Sequence, residues 1–364
     1  MLENAKITPK QLVLLVVISR LVITMTFFPA LDSPPGNQDV WLSVLLSIPV
    51  QLLFSVPIYL LWKRFPHQSL IEYSQTILGK AGKLIGILYI LYFLHALSLF
   101  SCQWCSFLTT VIMPETPVLF ILVFLLPFCA YAVIKGIEVI SRLAEFFAPL
   151  VFVGVIIVFL LLSKDVDLNV FTPFMEQSFL SILIGALVIS ARTSEILVLA
   201  MVFPYLNVKK AKLVFISSYL MLAFFWIIGT VTVLATLGLD LTRIQQFAYY
   251  TAIQIVNVGD FIQRIEAIHI SFWILSGFIR ITLYYYITVI GLSQVFSLKS
   301  YKPLVIPTAA IVVPLSLVLQ SNIAELNEFL SYKIEPLYNL FFILFIPSIL
   351  LIIAVIRKQG DKKA

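Results

Sequence analysis

Apolar runs of about 20 residues, the length that crosses a bilayer as a helix, recur along the whole chain between short stretches rich in charge, proline and glycine. Bounded in this way, the pattern predicts spans near 11–30, 40–62, 84–111, 117–135, 144–163, 178–203, 212–237, 266–295, 303–320 and 337–356. The prediction is an all-α polytopic membrane protein of ten transmembrane helices, a single integral membrane domain over residues 1–364. One segment breaks the pattern. In PHQSLIEYSQTILGKAGKLIG, Leu70, Ile71, Tyr73, Ile77 and Leu78 make an apolar face on a polar helix with basic ends, so 66–82 is predicted to lie along the inner surface. The longest loop, 238–265, contains LTRIQQFAYYTAIQIVNV and is predicted to form helical pieces.

Composition excludes a soluble enzyme: 61% of the 364 residues are hydrophobic, 12% are charged, and mean hydropathy is +1.06. The small charged fraction orients the chain. With the N-terminus inside, seventeen of the 24 basic residues fall on inner segments and four (Lys164, Arg243, Arg264, Lys333) on outer ones, so both termini are predicted to be cytoplasmic. The net charge of +6 does not point to nucleic acid, because the basic residues come in ones, twos and threes beside apolar spans. They read as topology signals and contacts with an anionic bilayer surface. Cys102, Cys105 and Cys129 all lie in apolar stretches, which favours neither a disulfide framework nor a zinc cluster.

Candidate chemistry lies where charge enters the apolar runs. A charge at the centre of a spanning helix costs at least about 2.5–3.5 kcal/mol on insertion scales, so Arg20, Arg192, Glu195 and Arg280 each need a partner, a cavity or an interface. The group SARTSE, Ser190 to Glu195, is the densest polar cluster in any span, with Arg192 and Glu195 three apart. Two readings stand: an ion pair that locks helices together, or a broken helix lining a ligand site. The first span is irregular too, with Arg20, Thr24 and Thr26 ahead of Pro29. Spans one and six open two sets of five, which suggests inverted repeats over 1–163 and 178–356 with both lead helices broken. Span three carries Tyr92, His95, Ser98, Ser101, Cys102, Gln103 and Cys105; span eight carries His269, Ser276, Arg280, Thr282, Tyr284, Tyr285 and Tyr286. These polar residues either face a cavity or serve packing. No P-loop, paired-glycine nucleotide loop, metal-spaced histidines or nucleophile-base-acid arrangement occurs, so no catalytic group, cofactor or metal is expected.

Several segments resemble the endospore germination permease family, the B subunits of nutrient germinant receptors, within the amino acid, polyamine and organocation transporter superfamily. They are ITPKQL from Ile7, QDVWLS from Gln38, FPHQSLIEYSQTILGKAGKLIG from Phe65, YAVIKGIEVISRLAEFFAPL from Tyr131, SEILVLAMVFPYL from Ser194 and RIEAIHISFWI from Arg264. The resemblance implies an inverted-repeat transporter-like fold in the spore inner membrane. It implies a small germinant (amino acid, sugar or nucleoside) as ligand, with a membrane A subunit and a lipid-anchored C subunit as partners. Spans one, three, six and eight would then surround the germinant, with Thr24, Thr26, Tyr92, His95, Ser98, Arg192, Thr193, Glu195, Arg280 and Tyr284 as candidate binding residues. RLVITMTFFP lacks the glycine that commonly breaks the family's first span, a departure from the exposed-backbone amino acid site of its alanine sensors. An amino acid transporter or cation-coupled symporter of the same fold is the alternative.

Overall fold

Backbone that crosses hydrocarbon has to satisfy its own N–H and C=O groups, and helices do so within one segment. The computed structural model describes residues 5–24, 26, 29–164, 166–206, 211–255 and 265–360. Among them the chain is helical almost throughout: α1 (Pro9–Thr24), α2 (Val40–Arg64), α3 (Leu70–Leu78), α4 (Lys80–Phe107), α5 (Val118–Lys135), α6 (Ile137–Leu162), α7 (Phe179–Ala191), α8 (Glu195–Val202), α9 (Ala211–Ile244), α10 (Ala248–Ile255), α11 (Ile265–Val295), α12 (Val305–Ser321), α13 (Ile323–Phe329), α14 (Glu335–Leu340) and α15 (Ile346–Ile356). A π turn, Leu108–Ile112, extends α4, and another, Phe341–Phe345, joins α14 to α15.

Nine helical stretches among the described residues are long and apolar enough to cross a membrane, α7–α8 and α14–α15 each counting as one. The first predicted span differs. Its helix has 16 residues, a rise of about 24 Å, and stops at Thr24 rather than 30. A short 3-10 helix, Pro29–Asp32, follows, while Met25, Phe27 and Phe28 lie outside the described residues. The fifth span starts at Ile137 rather than 144, because Gly136 (φ 92°) turns the chain in a single residue between α5 and α6. In the 238–265 stretch, α9 runs on past Gly238 to Ile244 and α10 follows; 256–264 lie outside the described residues.

Burial separates the centre of the bundle from its rim. The most apolar windows of α7–α8 and α11 are each 83% buried, against 22% for that of α12. Residues Leu12 to Val22 of α1 are buried without interruption, as are all eight residues of α8. A helix apolar on every side belongs inside a bundle. Accordingly α1 packs on α6, α9 and α11, and α4 packs on α11 and α12. Leu53, Phe120, Phe124, Phe146, Phe224 and Ile306 point outward as the face offered to lipid.

The end that carries both termini is tied shut. Ile7 N–H donates to Tyr205 O (3.0 Å) in a short bridge to the chain after α8, and Lys6 N–H donates to Glu138 (2.7 Å). Arg64 and Arg357 donate to the carbonyls of Gln359 (3.1 Å) and Ile77 (2.7 Å). Within 66–82, α3 opens on a reciprocal Ser69–Glu72 cap and buries Leu70, Ile71, Tyr73 and Ile77, packing on α4 and α11.

Candidate functional site

The site begins at the break between α7 and α8, where Arg192, Thr193 and Ser194 leave the helical ladder. Three hydroxyl side chains cluster there, and such side chains compete for main-chain groups. Ser190 Oγ donates to Ala186 O (2.6 Å) and Thr193 Oγ1 to Ile189 O (3.2 Å), while Ser194 Oγ pairs with Tyr284 Oη (2.6 Å). Non-helical backbone at this depth is tolerated where protein or a cavity surrounds it.

Arg192 and Glu195 do not pair with each other. The break points them to different partners, so two separate charge centres stand where one of the two readings placed a single ion pair. Arg192 reaches Asp32 through both terminal nitrogens (3.0 and 2.8 Å), Glu335 through Nε (3.0 Å) and Leu330 O (2.8 Å). Glu195, at the first turn of α8 where the helix dipole favours an acid, lies between two arginines. Arg280 Nη1 is 2.7 Å from its Oε1 and Arg20 Nη1 is 3.5 Å from its Oε2. Arg280 also donates to Ser19 O (2.9 Å) and Arg20 to Arg192 O (3.0 Å). All four charges read as anomalous in the sequence are therefore engaged. One centre sets two cations on one anion and the other two anions on one cation, so each is unbalanced, in opposite senses.

Between them opens a cavity of about 640 Å³, inside the roughly 300–1,000 Å³ range of small-molecule sites. Arg20, Arg192, Ser194 and Arg280 line its floor, and Tyr92, His95, Leu99, Phe100, Gln103, Ser106 and Thr110 form the α4 wall. Asp32, Arg243 to Gln246, Gln320, Asn327, Phe329, Leu330, Glu335, Tyr338 and Asn339 frame the end opposite the termini. Arg280 Nε and Nη2 are buried with no hydrogen-bond partner, and its guanidinium lies 3.8 Å over the Phe100 ring. A side recess of about 20 Å³ adjoins it, lined in part by Thr26, Trp104, Trp273 and Gly277.

Of the candidate residues, Tyr92, His95, Arg192 and Arg280 line the main cavity and Thr26 the recess. Tyr92 Oη donates to Asn339 Oδ1 (3.0 Å), and His95 Nδ1 lies 3.3 Å from Tyr338 Oη. Glu195 and Tyr284 stand behind the floor, bonded to Arg280 and Ser194 respectively. Thr24 donates to Arg20 O (3.4 Å), Thr193 stays within its own helix turn, and the carbonyl of Ser98 accepts from Ser316 (3.1 Å). The span-three polar stripe thus divides, Tyr92, His95 and Gln103 lining the cavity, Cys102 bonding to Gln320 of α12 and the Ser98 hydroxyl buried without a partner. Asp32 and Glu335 escaped the sequence reading, since acids at span edges are ordinary there. No group of three or more His, Cys, Asp or Glu that could hold a metal occurs among the described residues.

A polytopic helical membrane protein with a polar cavity at a broken central helix is the class these features define. The chain belongs to the spore germination protein family of permeases, whose sequence profile matches residues 6–324. It is 30% identical to spore germination protein KB of Bacillus subtilis (strain 168) over 100% of this chain and 98% of that protein. It is 25% identical to spore germination protein YndE of the same organism over 99% of each chain, and 25% identical to spore germination protein A2 over 78% of each. It is a germination permease-type membrane protein.

Proposed function

We propose that this chain is the nutrient-sensing B subunit of a spore germinant receptor. It binds a small germinant (amino acid, sugar or nucleoside) in the cavity and signals through a membrane A subunit and a lipid-anchored C subunit. In this reading α1 is the shortened first of ten crossings arranged as two inverted sets of five, and both termini face the spore core across its inner membrane. Family membership and the multi-helix apolar architecture support it. The observation that carries it is a polar cavity lined by Arg280, beside the buried Glu195 cluster, and by a wall bearing the Asp32 and Glu335 carboxylates. Arg280 is suited to an anionic or carbonyl group, and the acidic wall to an ammonium or hydroxyls. Glu195, with both oxygens held by arginines, positions the floor and leaves ligand contact to its neighbours. The germinant acts by binding the signalling conformation more tightly than the resting one.

The test is a germination screen of a strain lacking this subunit against individual nutrients, repeated with Gln103→Leu. Gln103 lines the cavity and its Oε1 is buried with no hydrogen-bond partner, so the substitution is expected to spare folding. Loss of response to one nutrient in the deletion strain, and a shifted half-maximal concentration with the variant at normal abundance, are the expected results. An unchanged response to every nutrient in the deletion strain would overturn the reading. Counterflow of labelled solute in proteoliposomes holding this subunit alone would identify a transporter instead.

A further inference from the structure

Glu195 sits in a donor set of the kind that takes a free cation. In membrane helices interrupted at mid-depth, a carboxylate and carbonyl oxygens near the break provide such oxygens. Here they form two pairs: Glu195 Oε1 with Ser19 O, and Glu195 Oε2 with Arg192 O. Arg280 Nη1 lies 2.7 and 2.9 Å from the first pair. Arg20 Nη1 lies 3.5 and 3.0 Å from the second. One nitrogen of each guanidinium therefore stands where a carboxylate oxygen and a main-chain oxygen converge.

The rest of each side chain is held as well. The Arg280 guanidinium is 3.8 Å over Phe100 and 5.1 Å from the Tyr284 ring centre, and that of Arg20 is 5.3 Å from the Trp226 ring centre. Both side chains are 6% exposed or less and Glu195 is 1% exposed, so water screens the cluster little. A guanidinium is the weakly hydrated, permanently charged group suited to such a place. The other carboxylates at the cavity, Asp32 and Glu335, are bound to Arg192.

We propose that Arg20 and Arg280 are tethered counter-cations filling a two-lobed monovalent-cation site between α1, α8 and α11. The protein therefore takes its ligand without coupling to Na⁺ or K⁺. Removing either guanidinium opens its lobe to a small free cation. This inference goes beyond the receptor reading and does not depend on which ligand the cavity takes.

The experiment is thermal unfolding of the purified full chain in detergent, with no nutrient, in NaCl, KCl or choline chloride at equal ionic strength, with and without millimolar guanidinium. Wild-type curves are expected to superimpose in all three salts. Arg280→Ala and Arg20→Ala are expected to melt lower in choline and to regain roughly 2 °C or more with Na⁺, K⁺ or guanidinium. Selective stabilisation of the wild type by Na⁺ or K⁺ over choline would overturn the proposal, as would variants indifferent to every small cation. Should neither alanine variant fold, Arg20→Gln, which loses the longer of the two carboxylate contacts, carries the same comparison, and the wild-type arm still decides. Because germination is not the readout, failure here is distinct from failure of the receptor reading.

Discussion

An amide in place of the Glu195 carboxylate keeps its shape but leaves two buried guanidiniums without a counter-charge. Removing one partner of a buried ion pair costs about 3–5 kcal/mol, so Glu195→Gln is expected to lower the unfolding midpoint sharply and reduce the yield of folded protein in detergent. Arg192→Lys keeps the charge but loses the two-pronged contact with Asp32 and the Nε contact with Glu335. A loss of about 1.5–3 kcal/mol is expected, read in the same unfolding assay. Gly277→Ala acts through volume: its Cβ would stand 2.2 Å from Trp104 Nε1, against a Trp104 ring stacked on Trp273 with centroids 5.7 Å apart. Displacing that stack is expected to cost about 1–3 kcal/mol in the same unfolding measurement. At this scale the sequence exposes the charges but not their pairing. Arg20, Arg192, Glu195 and Arg280 announce themselves because charge in an apolar run is expensive. The three-residue spacing of Arg192 and Glu195 suggests a shared helix face, and the break between α7 and α8 turns them apart. Asp32 and Glu335 complete the Arg192 centre from span edges, where nothing local marks them.

Several of the segments that carry the family resemblance fall at helix joints. Thr8 and Gln11 in ITPKQL exchange side-chain and main-chain hydrogen bonds at the start of α1. Asp39 in QDVWLS accepts from the backbone N–H of Met175 (2.9 Å) and Gln177 (3.3 Å), tying the segment before α2 to the one before α7. In YAVIKGIEVISRL, Gly136 makes the one-residue turn and Glu138 receives Lys6 N–H. Gly136→Ala places a side chain at a backbone angle of φ 92°. It is expected to cost about 1–3 kcal/mol, seen as a lower unfolding midpoint, with no shift in half-maximal nutrient concentration in whatever protein folds. Helices themselves are legible here because apolar length is enough to reveal a crossing. Their ends are less so: Glu138 and Arg142 read as a loop, although α6 already runs through them, and Glu145 meets Lys10 (2.9 Å) at the bundle's end. The early stop of α1 is likewise hidden, since the apolar run continues past Thr24 while the helix does not.

The molecule is asymmetric along its helices, closed by main-chain and side-chain ties at the end holding the termini and open at the other through the frame of α9, α12, α13 and α14. Charge placement reads the same axis from the sequence, the basic residues crowding the closed end. A cavity depends on which helices meet, and that long-range choice leaves no local pattern. Opposite ends make the arrangement measurable with a membrane-impermeant maleimide. Cys102, Cys105 and Cys129 are all buried, which gives the native chain a low background. Asn327, exposed on the cavity rim, and Lys299, exposed at the closed end, are suitable sites for single cysteines. In sealed vesicles keeping the native orientation, Asn327→Cys is expected to react from outside, and Lys299→Cys only after the membrane is inverted or dissolved. Reaction of both from the same side, or of Lys299→Cys alone from outside, would refute the proposed orientation. A nutrient that slows labelling at Asn327→Cys and leaves Lys299→Cys unchanged in dissolved membranes would link occupancy to the open end, because the closed end offers that reagent no path into the cavity.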